Sequence, residues 1–272
     1  QEEKRPRFPY RGLVAIVAAA SLLTGAVGAV SLAGVSPAFR ELFGITSEEQ
    51  AKNLGIVQMN QVFEDKNGSG ATVTVKEAAA DQEQFYILVE FAAPEGTVLP
   101  EPDQVEEGFN RAVLWGGPDG RGIGFGAYRD ESCTSFIGSS EAGYAIDYVE
   151  DSDPTDNKME FIIRGHIDPM PKDAAYCLFS GIQSLCMQYQ GEWVTMLDGM
   201  DIDLIVPLVG MGTHYDFQGR CGVNLNGVTL AVAENLTISP ISVSMDLVIP
   251  DGAAYDAAFG QDGPWQLSLI HI

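Results

Sequence analysis

The densest group of side chains able to bind a cation is an acidic stretch in mid-chain, where Asp151, Asp153, Asp156 and Glu160 fall within ten residues. Ca²⁺ takes about 6–8 oxygen ligands in a flexible shell, so an irregular calcium site is the chemistry this run offers. It is not an EF-hand loop: Thr155 holds the fifth position and Asp156 the sixth, where the turn needs Gly. The default for such a run is a solvated acidic loop. Four cysteines, Cys133, Cys177, Cys186 and Cys221, permit three pairings. Cys177 and Cys186 are expected to face each other across a hairpin turning at Gly181, with buried free thiols as the alternative.

Other constellations exclude more than they offer. The run from Gly116 to Gly126 has neither the Gly-Lys-Ser/Thr of a P-loop nor the G-x-G-x-x-G of a dinucleotide fold, and it reads as a hairpin loop. His166, His214 and His271 are too far apart for a metal-binding motif, and no Cys-x-x-Cys pair occurs. No serine sits in a G-x-S-x-G elbow. The sequence therefore points to no catalytic residue and implies no cofactor.

The elements that position these residues begin with Gly12 to Val35, 24 residues without a charge. At about 1.5 Å per residue this is roughly 36 Å of helix, enough for a hydrocarbon core of about 30 Å. Lys4, Arg5, Arg7 and Arg11 precede it, so the positive-inside rule places residues 1–11 in the cytoplasm and the chain after Val35 outside. A cleaved signal peptide ending at the small residues Ser31-Leu32-Ala33 is the rival. A first residue of Gln suggests a fragment whose upstream part is missing. The formal net charge is −23 for the whole chain and −25 for the residues beyond Val35, a surface that repels nucleic acid and anionic lipid.

Beyond the anchor, Ser36-Pro37 reads as an N-cap with Pro at the first helical position, and Phe39, Leu42 and Phe43 share one face of a short helix. Ser47 or Thr46 with Gln50 or Glu49 resembles a capping box, with Gly55 ending a second helix, so residues 36–55 form a helical neck. From Ile56 the pattern alternates. The expected strands are Thr72–Lys76, Phe85–Phe91, Phe161–Ile163, Tyr176–Phe179, Leu185–Tyr189 and Ile202–Val209. They make a first β-sandwich over residues 56–209 with long loops over residues 100–157. A second β unit over residues 210–272 starts with a hairpin at Asn226-Gly227 and continues with the alternating run Ile241–Ile249.

Taken together, the single helix, Ser36-Pro37-Ala38-Phe39, the strand pair Thr72–Lys76 and Gln84–Phe91, Gly191-Glu192-Trp193, Val206-Pro207-Leu208 and Ile238–Val243 carry a resemblance. The chain resembles the single-pass, anti-sigma-factor-like membrane proteins of Gram-positive bacteria, whose ectodomains are of unknown function. The resemblance implies two immunoglobulin-like β-sandwich units outside the cell. It also implies a cytoplasmic segment, missing here, that binds a sigma factor. The expected function is thus a non-enzymatic sensor or binding ectodomain for an unknown extracellular ligand or protein. A surface adhesion module is the alternative, and a wall-modifying enzyme ranks behind it.

Overall fold

The computed structural model describes residues 32–100, 113–115, 124–138, 142–149, 153, 155–167, 171, 173–209, 213–225, 228–249, 252–253 and 257. Residues 12–31, most of the expected anchor, lie outside them. Among the described residues no helix is long and apolar enough to cross a membrane. The protein is mainly β, and it divides into one compact unit from Thr24 to Gly210 and a second that includes Met211–Ile272.

The first unit opens with a single 3-10 turn at Leu32–Gly34, followed by two short helices. Helix α1 (Pro37–Phe43) starts where the Ser36 hydroxyl accepts the Phe39 N–H, and it stops at Gly44, whose φ of 62° needs glycine. Helix α2 (Glu48–Asn53) carries the reciprocal capping box of Ser47 and Gln50. At 7 and 6 residues neither helix is stable by itself. Both persist because Phe39, Phe43, Ile45, Ala51, Leu54 and Ile56 are buried.

Two antiparallel sheets follow. The first has the order β1 (Val57–Glu64), β2 (Thr72–Ala80), β3 (Gln84–Ala92), β8 (Lys158–Ile167), β7 (Ala142–Val149). The second runs β10 (Glu192–Pro207), β9 (Tyr176–Tyr189), β5 (Gly124–Tyr128), β6 (Phe136–Gly138), with β4 (Val113–Trp115) also paired to β9. Period-two alternation puts Phe85, Ile87, Val89 and Phe91 of β3 inward, against Cys177, Phe179, Leu185 and Met187 of β9 and Ile202, Leu204 and Val206 of β10. The β2–β3 turn is fixed by the Asp81 carboxylate, which accepts the N–H groups of Glu83 and Gln84 at 2.8 and 2.7 Å. A bulge at Lys76 lets β2 keep both Val75 and Ala78 inward.

The first sheet is covered on its outer face as well. Tyr86, Leu88, Ala79 and Ile162 lie on that face, and the neck packs there, with the Phe43 ring 5.0 Å from Tyr86 in an edge-on pair. Leu88 and Ala79 are consequently fully buried although they point away from the sandwich core.

Three expectations need correction. Tyr176–Phe179 and Leu185–Tyr189 are not two strands but one continuous β9, which does not turn at Gly181. The tight turn comes later, at Gln190-Gly191, whose φ values of 53° and 82° match the turn that suits a two-residue hairpin. Cys177 and Cys186 therefore stand nine residues apart along one extended strand, roughly 30 Å, where a disulfide needs Cα atoms within about 7 Å. Both are free thiols. Gly124 and Gly126, read as loop, belong to β5.

The second unit contains a three-stranded antiparallel sheet, β11 (Thr213–Leu225), β12 (Val228–Ile238), β13 (Val243–Val248). Leu225 pairs with Val228, and the expected hairpin residues between them, Asn226-Gly227, lie outside the described set. Tyr215, Leu236 and Met245 are cross-strand partners on one apolar face, and Asp216, Asn235 and Asp246 on the opposite one.

Candidate functional site

The acidic stretch resolves into local capping and ion pairing. The Asp153 carboxylate accepts the N–H of Thr155 at 3.2 Å and its hydroxyl at 2.6 Å, and Asp156 accepts the Lys158 N–H at 2.7 Å. Glu160 points elsewhere, onto the outer face of the first sheet, where it meets Lys76 Nζ at 2.5 Å. Asp151 lies outside the described residues. Among the described residues no group of three or more His, Cys, Asp or Glu side chains is placed to hold a metal ion. His166 on β8 and His214 on β11 belong to different units, and His271 lies outside the described set.

Around Lys76 the charges form a network, since Glu90 pairs with both Lys76 and Lys158 at 3.1 Å. Burial alone would push the Glu90 carboxyl up, but hydrogen bonds from Lys158 and Lys76 outweigh it and hold the group below its usual range. A carboxylate depressed on folding contributes stability that is present above its unfolded pKa and lost as pH falls through the folded one. Glu90→Gln is therefore expected to flatten the acid limb of the stability curve below about pH 4.3 and to cost about 1 kcal/mol or less at neutrality, read by urea unfolding across pH.

A feature that no linear motif announced lies on the outer face of the second sheet. Phe136 pairs with Tyr128, Tyr128 with Tyr176 and Tyr176 with Pro207, so four ring-bearing residues form one row across β6, β5, β9 and β10. Cross-strand partners share a face, and strands lie about 4.8 Å apart, so the row extends roughly 14 Å. The neighbouring inward row of Ala127, Cys177 and Val206 is buried, which confirms that the rings face out. Phe136 is 58% exposed and Tyr128, Tyr176 and Pro207 are half-buried. Tyr128 and Phe136 meet edge-on at 5.5 Å.

Glycine sets the floor of this face. A Cβ on Gly126 would come within 2.9 Å of the Tyr128 ring, so that ring lies back along its own strand over bare backbone. Leu178 and Ile205, paired across β9 and β10, continue the apolar surface behind the row.

The β5–β6 loop holds the end of the row in place. The Asp130 carboxylate accepts the Thr134 N–H at 3.1 Å, the Ser135 N–H at 2.7 Å and the hydroxyls of Ser132 and Thr134. The Ser132 hydroxyl, then the Thr134 N–H, hold this carboxyl far below its ordinary value, so it stays ionised at any physiological pH. Arg129 beside it donates from Nε to Asp173 at 2.8 Å. Hydroxyls and carboxylates thus rim a row of rings. Such a face offers apolar stacking in the middle and hydrogen-bond acceptors at the edge.

Cys177 faces the core, where burial first and the nearby Cys133 second raise its thiol far above the ordinary range, leaving it inert.

No protein-family model matches this chain, and no curated protein matches it. Among solved structures it is similar to a conserved domain protein from Bacillus anthracis, with 13% sequence identity and a TM-score of 0.47. The match covers 74% of this chain and 58% of that one, so the chain spans well under two thirds of the protein it matches.

Proposed function

We propose that this chain is the extracytoplasmic binding part of a membrane-anchored, non-enzymatic regulator of the anti-sigma-factor-like kind, and that it binds an uncharged glycan. Gly12–Val35 is the anchor in this reading, residues 1–11 are cytoplasmic, and both β units lie outside as immunoglobulin-like modules. The observation that carries the binding role is the ring row Phe136–Tyr128–Tyr176–Pro207. Sugar rings present C–H faces that stack on aromatic rings, and their hydroxyls need acceptors such as the hydroxyl oxygens of Ser132 and Thr134 and the Asp173 carboxylate. A chain with a net charge of −23 disfavours polyanionic polymers at the same place.

Titration of the detergent-solubilised chain with soluble N-acetylglucosamine oligomers tests this. Tyr128→Ala with Phe136→Ala is expected to weaken binding about 10–100-fold, because central aromatic anchors contribute most of the affinity at such faces. Tyr215→Ala, in the second unit, is expected to leave it unchanged. Saturable binding that survives the double substitution, or none by the unaltered chain, overturns the assignment. An adhesion module would use the same face without signalling. A helical sigma-factor-binding segment encoded ahead of Gln1 favours the regulator.

A further inference from the structure

Glu77 is a buried carboxylate that the ring row does not use. It lies on the outer face of the first sheet at 2% exposure. It accepts the Ser36 N–H at 2.7 Å, the Ser36 hydroxyl at 2.8 Å and the Gln58 side-chain amide at 2.8 Å. Ser36 therefore spends both its donors on the two oxygens of one carboxylate. The residue that caps α1 is also the residue tied to the sandwich. A polar group this deeply buried depends on its hydrogen-bond partners, so the contact is strong while shut and costly to leave half-made.

The segment that this bond holds is separate from the sandwich interior. The core between the two sheets takes no residue from the neck. Phe39, Phe43, Ile45, Ala51 and Leu54 are buried outside that core, with the Phe39 ring against Phe43 and the Phe43 ring against Tyr86 on the outer face of the first sheet. The neck is thus able to leave that face with the inter-sheet core undisturbed.

Its far end is pinned. Gly55 has φ +64°, and a Cβ there would come within 1.7 Å of Val209 Cγ1, so only glycine admits the contact. Val209 is itself tied by its N–H to the Ala80 carbonyl at 2.8 Å. The closed arrangement also carries an internal cost, because Arg40 Nε is buried without a hydrogen-bond partner.

We infer that residues 35–54 are a hinged latch, shut by Ser36 on Glu77 and pivoting at Gly55, which opens as a unit while the sandwich stays folded. The latch decides whether the chain entering at Val35 is held on the sandwich or released. For its use it rests on the proposed sensor, which needs a bistable element between its outer ligand and its anchor. Small cooperative units of this kind open below the global unfolding free energy.

Amide hydrogen exchange on the full chain in detergent micelles tests the latch without any ligand. Glu77→Ala is expected to speed exchange over residues 38–54 by about tenfold or more, equivalent to ~1.4 kcal/mol less protection, with β3 and β8 changing by less than about twofold. Ser36→Ala, which keeps the N–H donor, is expected to act in the same places with a smaller factor. Unchanged exchange in the neck of both variants overturns the inference. So does protection lost in step from neck, β3 and β8, since Glu77 would then be part of one indivisible core. Because no glycan enters the assay, a failed titration of the ring row leaves this result standing, and the converse holds equally.

Discussion

Replacing Phe85 by Ala is expected to remove about 3–5 kcal/mol of stability. Phe85 is fully buried and joins the two sheets. Its ring centroid lies 4.8 Å from that of Phe179 on β9 and 5.6 Å from that of Phe125 on β5, while Phe125 and Phe179 meet at 4.6 Å. Three rings, one from the first sheet and two from the second, thus make a closed set of tilted and edge-on pairs. Truncating the one member on β3 removes both inter-sheet pairs and leaves a void lined by the remaining rings and by Gly165. Transfer of the ring to water accounts for roughly half of the expected loss, and the cavity plus the lost ring pairs for the rest. The check is a urea titration of the full chain in detergent, followed by tryptophan fluorescence and far-ultraviolet dichroism. A midpoint shift with unchanged slope is expected, and a loss under about 1 kcal/mol would mean that the two sheets close over the gap.

What the sequence made legible was local. Ser36-Pro37, Gly44 and the Ser47–Gln50 box are contacts within one turn, and each forms where its residue types require it. The β2–β3 hairpin was legible for the same reason, as its turn is fixed by Asp81 alone. Gly181 misled because glycine marks both turns and flat strand positions, and strand length here is decided by partners. Strand β9 is held along one edge by the 16-residue β10, and along the other by β5 and β4 end to end. The acidic run, read by default as a solvated loop, is local in the same way: Asp153 and Asp156 find donors within two residues, while Glu160 reaches across strands. The ring row could not be read at all. Phe136 and Tyr128 are near in sequence, but Tyr176 and Pro207 join them only through the register of β9 with its two neighbours. Glu77 is a similar case, since its partner Ser36 is 41 residues away.

The opposite change, adding a single methyl group, is expected to destabilise the same region. Gly165→Ala sits in the interior of β8, where alanine is ordinarily the better residue by roughly 0.5–1 kcal/mol because glycine loses more backbone entropy on folding. Here the surroundings reverse the sign. A Cβ on Gly165 would stand 2.4 Å from Phe85 Cζ and 2.5 Å from the Gly143 carbonyl oxygen. The ring could turn aside, at the expense of its pairs with Phe125 and Phe179. The carbonyl cannot move so easily, because Gly143 lies on β7, which is hydrogen-bonded to β8 along its whole length. Overpacking of this kind costs about 1–3 kcal/mol, which exceeds the entropic gain, so a net loss of about 1–2 kcal/mol is expected. The Phe85→Ala background separates the two contacts. There the ring contact is absent and the carbonyl contact remains, so Gly165→Ala is expected to cost less than in the parent but still not to stabilise. Full additivity of the two substitutions would show that Phe85 does not rest on Gly165, and a stabilising Gly165→Ala in either background would show that β7 yields to the methyl group.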